Sequence, residues 1–384
     1  IDKKPAKKSP VAPFTTSTLQ QEASRKLYFS VSKSMTLAQK LYESGLITYM
    51  RTDSVNLSKD AQNAAIKQIE KLYGNKYAQL RNYKTKNKSA QEAHEAIRPT
   101  DMSKIKISAD YDQIRLYELI WKRTMSSQMS DAKLERTQLK IKSSKHKEVF
   151  SVSGEVIIFD GFLRVYSEGT DDEMNENKGI LPQVENKESL YIKDLRCIQK
   201  FSKPSARYSE AALVKKLEEL GIGRPSTYAS IISTIANRGY AEILNKRFFP
   251  TDRGKLISAF LEKLFSRYVD YNFTAGLEDQ LDEITSGKES WIKVLELFWK
   301  DFNNNVSEVK EKRTREVLDL LNDSLGELIF DKDNEGNVVR KCQLCSNGTL
   351  SLKNSFRGGA FIGLSLIHIS EPTRPLYISY AVFC

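Results

Sequence analysis

The chain has 384 residues, of which 40% are hydrophobic and 28% are charged, and its formal net charge is +11. This length allows two or three domains, and no apolar run approaches the roughly 20 residues that a membrane-spanning helix needs. The composition therefore argues against an integral membrane protein. The basic balance favours a polyanionic partner, because Lys and Arg release condensed counterions when they neutralise phosphates. Four cysteines in this length argue against a disulfide framework and are typical of a reducing cytoplasm.

The two ends of the chain differ in character from the rest. Residues 1–12 are basic and carry prolines, which predicts a linker, and because Ile1 stands in place of Met we expect the natural N-terminus to be missing. Residues 364–384, "LSLIHISEPTRPLYISYAVFC", resemble a translated sequencing adapter, with "PLY" fitting an index barcode between two adapter pieces. We interpret this tail as non-native and exclude it from fold reasoning; the alternative is a natural hydrophobic tail.

Helical periodicity dominates the first half of the chain, and a period of two follows it. Apolar spacing and capping residues predict helices in "SMTLAQKLYESG", in "SKDAQNAAIKQIEKLYG" with Ser58 as cap, and in "DQIRLYELIWKRTMSSQM". Beta-forming residues then alternate or cluster in "RTQLKIKS", "EVFSVSGEVIIFDGFLRVY" and "SLYIKDLRCIQKF". The pattern predicts a helical domain at 13–136 and a β-rich domain at 137–201.

The second half returns to helices. "SEAALVKKLEELGIG" and "RPSTYASIISTIANRGY" predict two helices joined by a tight turn, and "AEILNKRFFPTDRGKLI" predicts a short hairpin. Helix, turn, helix and wing indicate a winged-helix-like domain at 202–305, a type of unit that binds DNA but also serves as a protein scaffold. A helical linker at 306–331 and a small module at 332–363 complete a multidomain α+β chain.

One stretch carries residues suited to nucleophilic chemistry, "LITYMRTDS" at residues 46–54. A tyrosine hydroxyl has a pKa of about 10 and needs a nearby cation or base to attack. Arg51 follows Tyr49 by two positions, so an extended backbone would place both side chains on one face, where a guanidinium could also bind a phosphate through two hydrogen bonds. Asp53 adds a carboxylate in reach of a phosphodiester. The bland alternative is a half-buried tyrosine beside a surface arginine, with Asp53 as a turn residue.

Further stretches place this one in a family. "APFTTSTLQQEAS", "LYESGLITYMRTDS", "EAHEAIRPT", "FSKPSARYSEAALVKKLEELGIGRPSTYASIISTIANRGY" and "YNFTAGLEDQLDEI" occur in this order. Together they resemble bacterial DNA topoisomerase I, a type IA enzyme, from about Pro13 to Gly363. The resemblance implies that negatively supercoiled DNA is relaxed by cutting one strand through a 5′-phosphotyrosine, passing the other strand and resealing the first. No ATP is needed for this, and the chain contains no GxxxxGK[ST] phosphate loop.

The resemblance also implies roles for individual residues. Tyr49 matches the nucleophile and Arg51 the arginine that positions the scissile phosphate. His94 and Arg98 in "EAHEAIRPT" match a histidine near the active site and a phosphate contact, although His94 could instead be a core histidine. Residues lining the DNA groove are matched by the basic and hydroxyl side chains of "GRPST", namely Arg224, Ser226 and Thr227, although Arg224 could serve only as a structural cap.

The same resemblance implies two metal ions, Mg²⁺ and Zn²⁺. Family members begin with a Toprim domain that holds Mg²⁺, and nothing before Pro13 supplies one. We therefore expect a fragment that binds DNA but cleaves it poorly alone. "KCQLC" resembles the first half of a zinc ribbon, in which Cys342 and Cys345 would be half of a tetrahedral Zn²⁺ site; the alternative is two ordinary free cysteines.

Two other classes of protein remain open at the level of sequence. A winged-helix DNA-binding protein without activity would explain the charge and "GIGRPSTY" but not the Tyr49 stretch. A recombinase or type IB enzyme would need dispersed Arg and His residues around a tyrosine late in the chain, whereas Tyr49 lies early. We expect the partner to be single-stranded or underwound DNA, the protein to be a monomer without membrane contact, and its location to be the cytoplasm, with the nucleoid.

Overall fold

The computed structural model describes residues 1–84, 94–143, 147–169, 184–202, 204–330, 332–333, 335–341, 348–355 and 359–364. Contacts divide the chain into two compact units, one formed by Ile1–Glu219 with Gly223–Ile232 and the other by Leu220–Ile222 with Ser233–Cys384. Both units combine helices with antiparallel strands, which confirms the predicted α+β class. No helix among the described residues is both long enough and apolar enough to cross a membrane.

The first unit is built around helices, with one sheet. In chain order it contains β1 (Asp2–Lys8), α1 (Thr16–Glu22), a π-helical turn (Ala23–Leu27), α2 (Val31–Glu43), α3 (Lys59–Tyr73), α4 (Tyr111–Ser127), β2 (Ala132–Lys142), β3 (Val149–Phe159) and α5 (Glu210–Glu219), with 3-10 turns at Asn75–Tyr77 and Gly161–Arg164. The Ser30 and Ser58 hydroxyls accept hydrogen bonds from the third backbone N–H of α2 and α3, respectively. These caps satisfy donors that have no partner within the helix and so fix where each helix begins.

Helix α4 is the centre of this unit. Leu116 and Ile120 are fully buried, and Trp121 is nearly so. The Trp121 indole N–H donates to the Met102 carbonyl oxygen at 3.0 Å, and the Tyr117 hydroxyl donates to the Lys104 carbonyl oxygen at 2.6 Å. Burying one such large apolar side chain stabilises the fold by about 1.5–3 kcal/mol, so α4 provides a rigid support for the segments around it.

The sheet of the first unit corrects the prediction of a basic linker at 1–12. Residues Asp2–Lys8 form β1, which pairs antiparallel with β2 from Asp2 opposite Gln138 to Lys8 opposite Ala132. Lys7 and Arg81 both form ion pairs with the buried carboxylate of Asp131. The strand forms because its partner satisfies its backbone groups and because Asp131 holds its end, although its own composition is poor in strand formers.

Two other predicted elements differ from the structure. "SLYIKDLRCIQKF" was expected to form a strand, yet residues 184–202 contain none, and Tyr191 is 95% exposed there. The alternation has no neighbouring strand to pair with in the described residues, so its apolar side chains gain no burial. The expected helical linker at 306–331 is helical, containing the end of Trp291–Glu311 and all of Thr314–Ile329, but the second helix packs into a core instead of serving as a linker.

The remaining elements belong to the second unit, except that the first of them, Tyr228–Asn237, has its first five residues in the first unit. They are α6 (Tyr228–Asn237), β4 (Ala241–Leu244), β5 (Arg247–Pro250), α7 (Asp252–Leu264), α8 (Ser266–Val269), α9 (Tyr271–Thr285), α10 (Trp291–Glu311), α11 (Thr314–Ile329), β6 (Leu350–Ser355) and β7 (Gly359–Leu364). Strands β4 and β5 form an antiparallel hairpin directly after α6, so the predicted sequence of helix, turn, helix and wing is present. Strand β7 ends at Leu364, and 365–384 lie outside the described residues.

Helices α7 and α11 share the small core of the second unit. Leu256 and Ala259 of α7 pack with Leu318, Leu321 and Leu325 of α11. The leucines of α11 recur at the spacing of one helix face, which is why 314–329 pack as part of the unit. Aromatic rings of α8, α9 and α10 form a second cluster, in which Phe298 and Phe302 stack at a centroid distance of 5.6 Å.

Candidate active site

The Tyr49 stretch lies beside a second segment that carries "AIRPT". Ile47 and Pro99 form an antiparallel bridge. The Thr48 N–H donates to the Arg98 carbonyl oxygen at 2.9 Å, and the Arg98 N–H donates to the Thr48 hydroxyl oxygen at 3.0 Å. Two predicted site motifs are therefore neighbours in space, although Thr48 and Arg98 are 50 residues apart in the chain.

Thr16, the first residue of α1, fixes the other side of the stretch. Its hydroxyl donates to the Met50 carbonyl oxygen at 2.7 Å and accepts from the Thr52 N–H at 2.8 Å. Its own N–H donates to the Thr52 carbonyl oxygen at 2.9 Å. The peptide groups on both sides of Arg51 are thus held by one buried side chain, which restricts the directions that the Arg51 side chain can take.

Burial alternates along the stretch, as the extended spacing predicted. Met50, Thr52 and Ser54 are buried, whereas Tyr49 and Arg51 are exposed and Asp53 is half-buried. The Tyr49 ring meets the ring of Tyr42 edge-on at a centroid distance of 5.2 Å. The contact orients the Tyr49 ring while leaving it accessible, since Tyr49 is 44% exposed.

Arg98 is held tightly by its own segment. One guanidinium nitrogen, Nη2, donates to Glu95 Oε2 at 2.6 Å, and Nη1 donates to the Pro99 carbonyl oxygen at 2.9 Å. Burial alone would raise the pKa of Glu95, but hydrogen bonds from Ser58 and Arg98 outweigh it and hold the pKa below its usual value of 4.5. Arg98 therefore has a structural role here, and its Nε is buried with no partner among the described residues. His94 is exposed.

The "GRPST" stretch forms a turn that leads into α6. The Arg224 N–H donates to the Thr227 hydroxyl oxygen at 2.8 Å, and the Thr227 N–H donates to the Arg224 carbonyl oxygen at 2.8 Å. The Thr227 hydroxyl is thus engaged in closing the turn, whereas Ser226 is exposed. Gly223 precedes the turn with φ of +79°, a left-handed conformation that favours glycine.

Helix α1 connects the Tyr49 stretch with α5, the helix before this turn. On the face next to Thr16, the Ser17 hydroxyl donates to Glu218 Oε2 of α5 at 2.7 Å. At the other end of α5, Glu210 Oε2 accepts from the Val31 N–H at 2.7 Å. Side chains of α1 therefore contact both the Tyr49 stretch and the helix that precedes the "GRPST" turn.

Sequence reasoning missed a charged cluster at the end of α1. The Glu22 carboxylate is buried and accepts from the Tyr166 hydroxyl at 2.6 Å and from the Gly169 N–H at 3.0 Å. Arg25 and Lys26, on the π-helical turn, form ion pairs with it at 3.3 Å. The i, i+3 and i, i+4 spacing of these charges was visible in the sequence, but Tyr166 and Gly169 come from more than 140 residues away.

Metal ligands are not found in this part of the molecule. The described residues contain no group of three or more His, Cys, Asp or Glu side chains placed to hold a metal ion. The described residues therefore do not fit a Mg²⁺ site. Cys342 and Cys345, the predicted half of a zinc site, lie outside the described residues.

The geometry is that of a nucleophilic tyrosine site. Tyr49 is exposed just after the Ile47–Pro99 bridge, and Arg51 is exposed two residues further on. Comparison with known proteins then gives the family. The family model described as DNA topoisomerase matches residues 1–296, and the chain belongs to that family. This confirms the resemblance noted in the sequence.

Individual relatives agree. DNA topoisomerase 1 of Zymomonas mobilis is 48% identical over 372 residues, covering 95% of this chain and 30% of the relative. DNA topoisomerase 1 of Rickettsia felis is 46% identical over 379 residues, covering 95% of this chain and 48% of the relative. A solved structure of full-length topoisomerase I from Thermotoga maritima is 32% identical with a TM-score of 0.69, covering 96% of this chain and 58% of that one. The chain spans less than half the length of these two curated relatives.

Proposed function

We infer that this chain carries the strand-cleaving tyrosine of a type IA DNA topoisomerase, and that Tyr49 is that residue. The observation that carries the inference is the bracing of the stretch around it. Thr48 is bonded to the Arg98 segment and Thr16 holds the peptide groups on both sides of Arg51. Catalytic positioning of this kind supplies a large part of a rate enhancement, because the reacting groups are oriented before the reaction begins.

The reaction at Tyr49 is a transesterification. The Tyr49 Oη forms a bond to the phosphorus of a DNA phosphodiester, and the bond from phosphorus to the 3′-oxygen breaks. The phenolic proton is lost from Tyr49, and the departing 3′-oxygen takes up a proton to leave as a hydroxyl. Resealing reverses these steps. The phosphotyrosine bond keeps the energy of the broken phosphodiester bond, so no ATP is consumed.

Charged neighbours of Tyr49 have separate roles in this proposal. The Arg51 guanidinium binds the scissile phosphate and stabilises negative charge on the phenol oxygen and the phosphate. Asp53, half-buried on the same stretch, and His94 lie near the reacting groups. Arg98 contributes mainly by holding the segment opposite Thr48, and the exposed 15% of its side chain contacts the phosphate.

DNA binding extends beyond the reacting phosphate. Arg224, Ser226 and the turn closed by Thr227 contact the DNA backbone, and the winged-helix-like region 202–305 guides the strand. The region 137–201, which contains most of β2 and all of β3, acts as the arch that admits the passing strand. The Mg²⁺ that the family implies would be held mainly by a Toprim domain, and Cys342 with Cys345 would form half of a Zn²⁺ site. The substrate is single-stranded or underwound DNA. The protein acts on it as a monomer in the cytoplasm, associated with the nucleoid.

A covalent trap tests the role of Tyr49. The chain is mixed with end-labelled single-stranded DNA and Mg²⁺, with and without the Toprim domain of a relative, and run on a denaturing gel. We expect an adduct that requires the added domain, is linked to the 5′-phosphate and disappears in Tyr49→Phe. Tyr42→Phe is the matched control, because Tyr42 packs against Tyr49 and is 42% exposed against 44%; it should retain the adduct.

The other outcomes separate the competing classes of protein. An adduct that survives Tyr49→Phe would show that another residue is the nucleophile. A link to the 3′-phosphate would favour a recombinase or type IB enzyme. A further lane contains the chain fused to the Toprim domain of a relative. DNA binding without an adduct in every lane, this one included, would favour a DNA-binding protein without cleavage activity.

A further inference from the structure

Gln20, in the second turn of α1, is an exception among the buried side chains. It is fully buried, and neither the nitrogen nor the oxygen of its amide has a hydrogen-bond partner among the described residues. Buried polar groups are nearly always paired, since an unpaired one costs the free energy of its desolvation. Gln21, its neighbour, is also buried but donates to Ser17 Oγ at 2.9 Å. The unpaired amide of Gln20 therefore needs a physical reason.

The direction of the Gln20 side chain follows from the geometry of α1. Thr16 and Gln20 are four residues apart, so they lie on the same face of the helix. Helical side chains lean toward the N-terminus, which brings the Gln20 amide back over the turn of Thr16. Thr16 bonds the peptide groups of Met50 and Thr52, so Gln20 belongs to the face of α1 that contacts the Tyr49 stretch.

A second unpaired group lies on the other segment that borders this stretch. Within the described part of the first unit, the buried side-chain atoms without partners belong to Gln20 and Arg98. One belongs to α1, which holds Thr52, and the other to the segment that holds Thr48. Unsatisfied groups in this unit thus occur on both of the segments that hold the Tyr49 stretch in place.

The Tyr49 stretch offers partners for the Gln20 amide. The Thr52 hydroxyl accepts from the Ser54 N–H at 3.0 Å, and the Ser54 hydroxyl accepts from the Asn56 N–H at 3.2 Å. Each hydroxyl also has a proton to donate, and an amide oxygen is an acceptor for it. Both side chains are buried, at 3% and 2% exposure, so water does not compete freely for these protons.

We propose that Gln20 is a positioning residue for the Tyr49 site, whose amide hydrogen-bonds the Thr52–Ser54 stretch when a DNA strand is bound. The bond holds Arg51 and Asp53, which alternate with the buried residues of that stretch, toward the scissile phosphate. Gln20 touches neither DNA nor the reacting atoms. The inference rests on the proposed role of Tyr49 and adds a residue that acts through the backbone behind it.

The test compares two adjacent buried glutamines in the chain supplemented with the Toprim domain. Gln20→Met removes the amide and keeps the length of the side chain, and Gln21→Met does the same at a position whose amide is paired. Three quantities are measured for each variant: the melting temperature, the dissociation constant for single-stranded DNA, and the rate of adduct formation at saturating DNA. The Tyr49→Phe variant shows whether the adduct depends on Tyr49.

We expect Gln20→Met to melt at or above the wild-type temperature, because an unpaired amide is replaced by an apolar group. It should bind DNA within twofold of wild type and form the adduct at least tenfold more slowly. Gln21→Met should melt about 2–4 °C lower, since it loses a buried hydrogen bond. The combination of unchanged stability with slower cleavage is not produced by a purely structural residue.

Two results would overturn the inference. A wild-type adduct rate in Gln20→Met would show that the amide has no part in positioning. A melting temperature lowered as much as in Gln21→Met would show that the amide is satisfied within the fold, for example by a buried water. Failure of the proposed function is distinct from both, since the wild-type chain would then give no adduct that depends on Tyr49.

Discussion

Thr16 is the residue on which the shape of the Tyr49 stretch depends most. We expect Thr16→Val, which keeps the shape and removes the hydroxyl, to destabilise the first unit by about 2 kcal/mol, because the Thr52 N–H loses its partner and the Met50 carbonyl a donor. The rate of adduct formation should also fall under conditions in which the variant is still fully folded, because Arg51 lies between the two peptide groups that Thr16 holds. Urea unfolding followed by circular dichroism measures the first effect, and the covalent trap measures the second.

Thr36→Val is the matched control for this prediction. Thr36 is exposed on α2 and its hydroxyl donates only to the Ser32 carbonyl oxygen within the same helix. Its loss should change stability by no more than about 0.5 kcal/mol. Equal effects of the two substitutions would contradict the bracing role of Thr16.

At the scale of single residues, the sequence predicted what local spacing determines. The alternation of exposed Tyr49 and Arg51 with buried Met50 and Thr52 follows from an extended backbone. It did not predict Thr16 or Gln20 as parts of the site, because their relation to the stretch depends on how distant segments fold together. The roles assigned to Arg224, Ser226 and Thr227 stay predictions, although the engagement of the Thr227 hydroxyl in its own turn now favours Ser226 as the free hydroxyl.

Among the elements, the junction of α1 with the π-helical turn carries the most concentrated charge. Burial would raise the pKa of Glu22, but hydrogen bonds from Tyr166 and Gly169 and the charge of Lys26 outweigh it and hold the pKa below 4.5. A carboxylate with a lowered pKa in the folded state stabilises the protein above its unfolded pKa of about 4.3. This contribution is lost as the pH falls through the lower pKa of the folded protein.

We therefore expect Glu22→Gln to destabilise the protein by about 3 kcal/mol at pH 7, because it leaves Arg25 and Lys26 without their buried partner. The difference from wild type should shrink as the pH falls through the lowered pKa of Glu22, because Glu22 itself then becomes protonated. Chemical unfolding at a series of pH values measures this. Glu118→Gln removes a surface pair with Lys122 and should cost less than about 1 kcal/mol; a constant difference between Glu22→Gln and wild type at all pH values would contradict the assignment.

Elements differed in how far the sequence could predict them. Helices α2 to α4 and the order of α5, α6 and the β4–β5 hairpin were predicted, because caps, apolar periodicity and turn residues are local signals. Strand β1 was not, since "DKKPAKK" becomes a strand only through pairing with β2, more than 120 residues further along the chain. The reverse error at 189–201 has the same cause: alternation indicates a strand only where a partner strand exists.

On the scale of the whole molecule, the two units have separate hydrophobic clusters. The first unit contains the larger core, which includes Trp121, and the second contains the cluster of α7 and α11. The other tryptophans, Trp291 and Trp299, are 59% and 61% exposed in the second unit. Each unit with its own core is expected to unfold as its own cooperative transition, and the fluorescence of Trp121 reports on the first.

Leu321→Ala tests this independence. Leu321 is 2% exposed in the smaller cluster, and its truncation should cost about 2–5 kcal/mol. In a Trp291→Phe/Trp299→Phe background, we expect the circular dichroism transition of the second unit to move to lower urea, while the Trp121 fluorescence transition stays within error of its position. Leu41→Ala, a fully buried leucine of the first core, should give the reciprocal result. Equal shifts of the Trp121 transition in both variants would show instead that the whole chain unfolds as one unit, and that the site around Tyr49 depends on the second core for its stability.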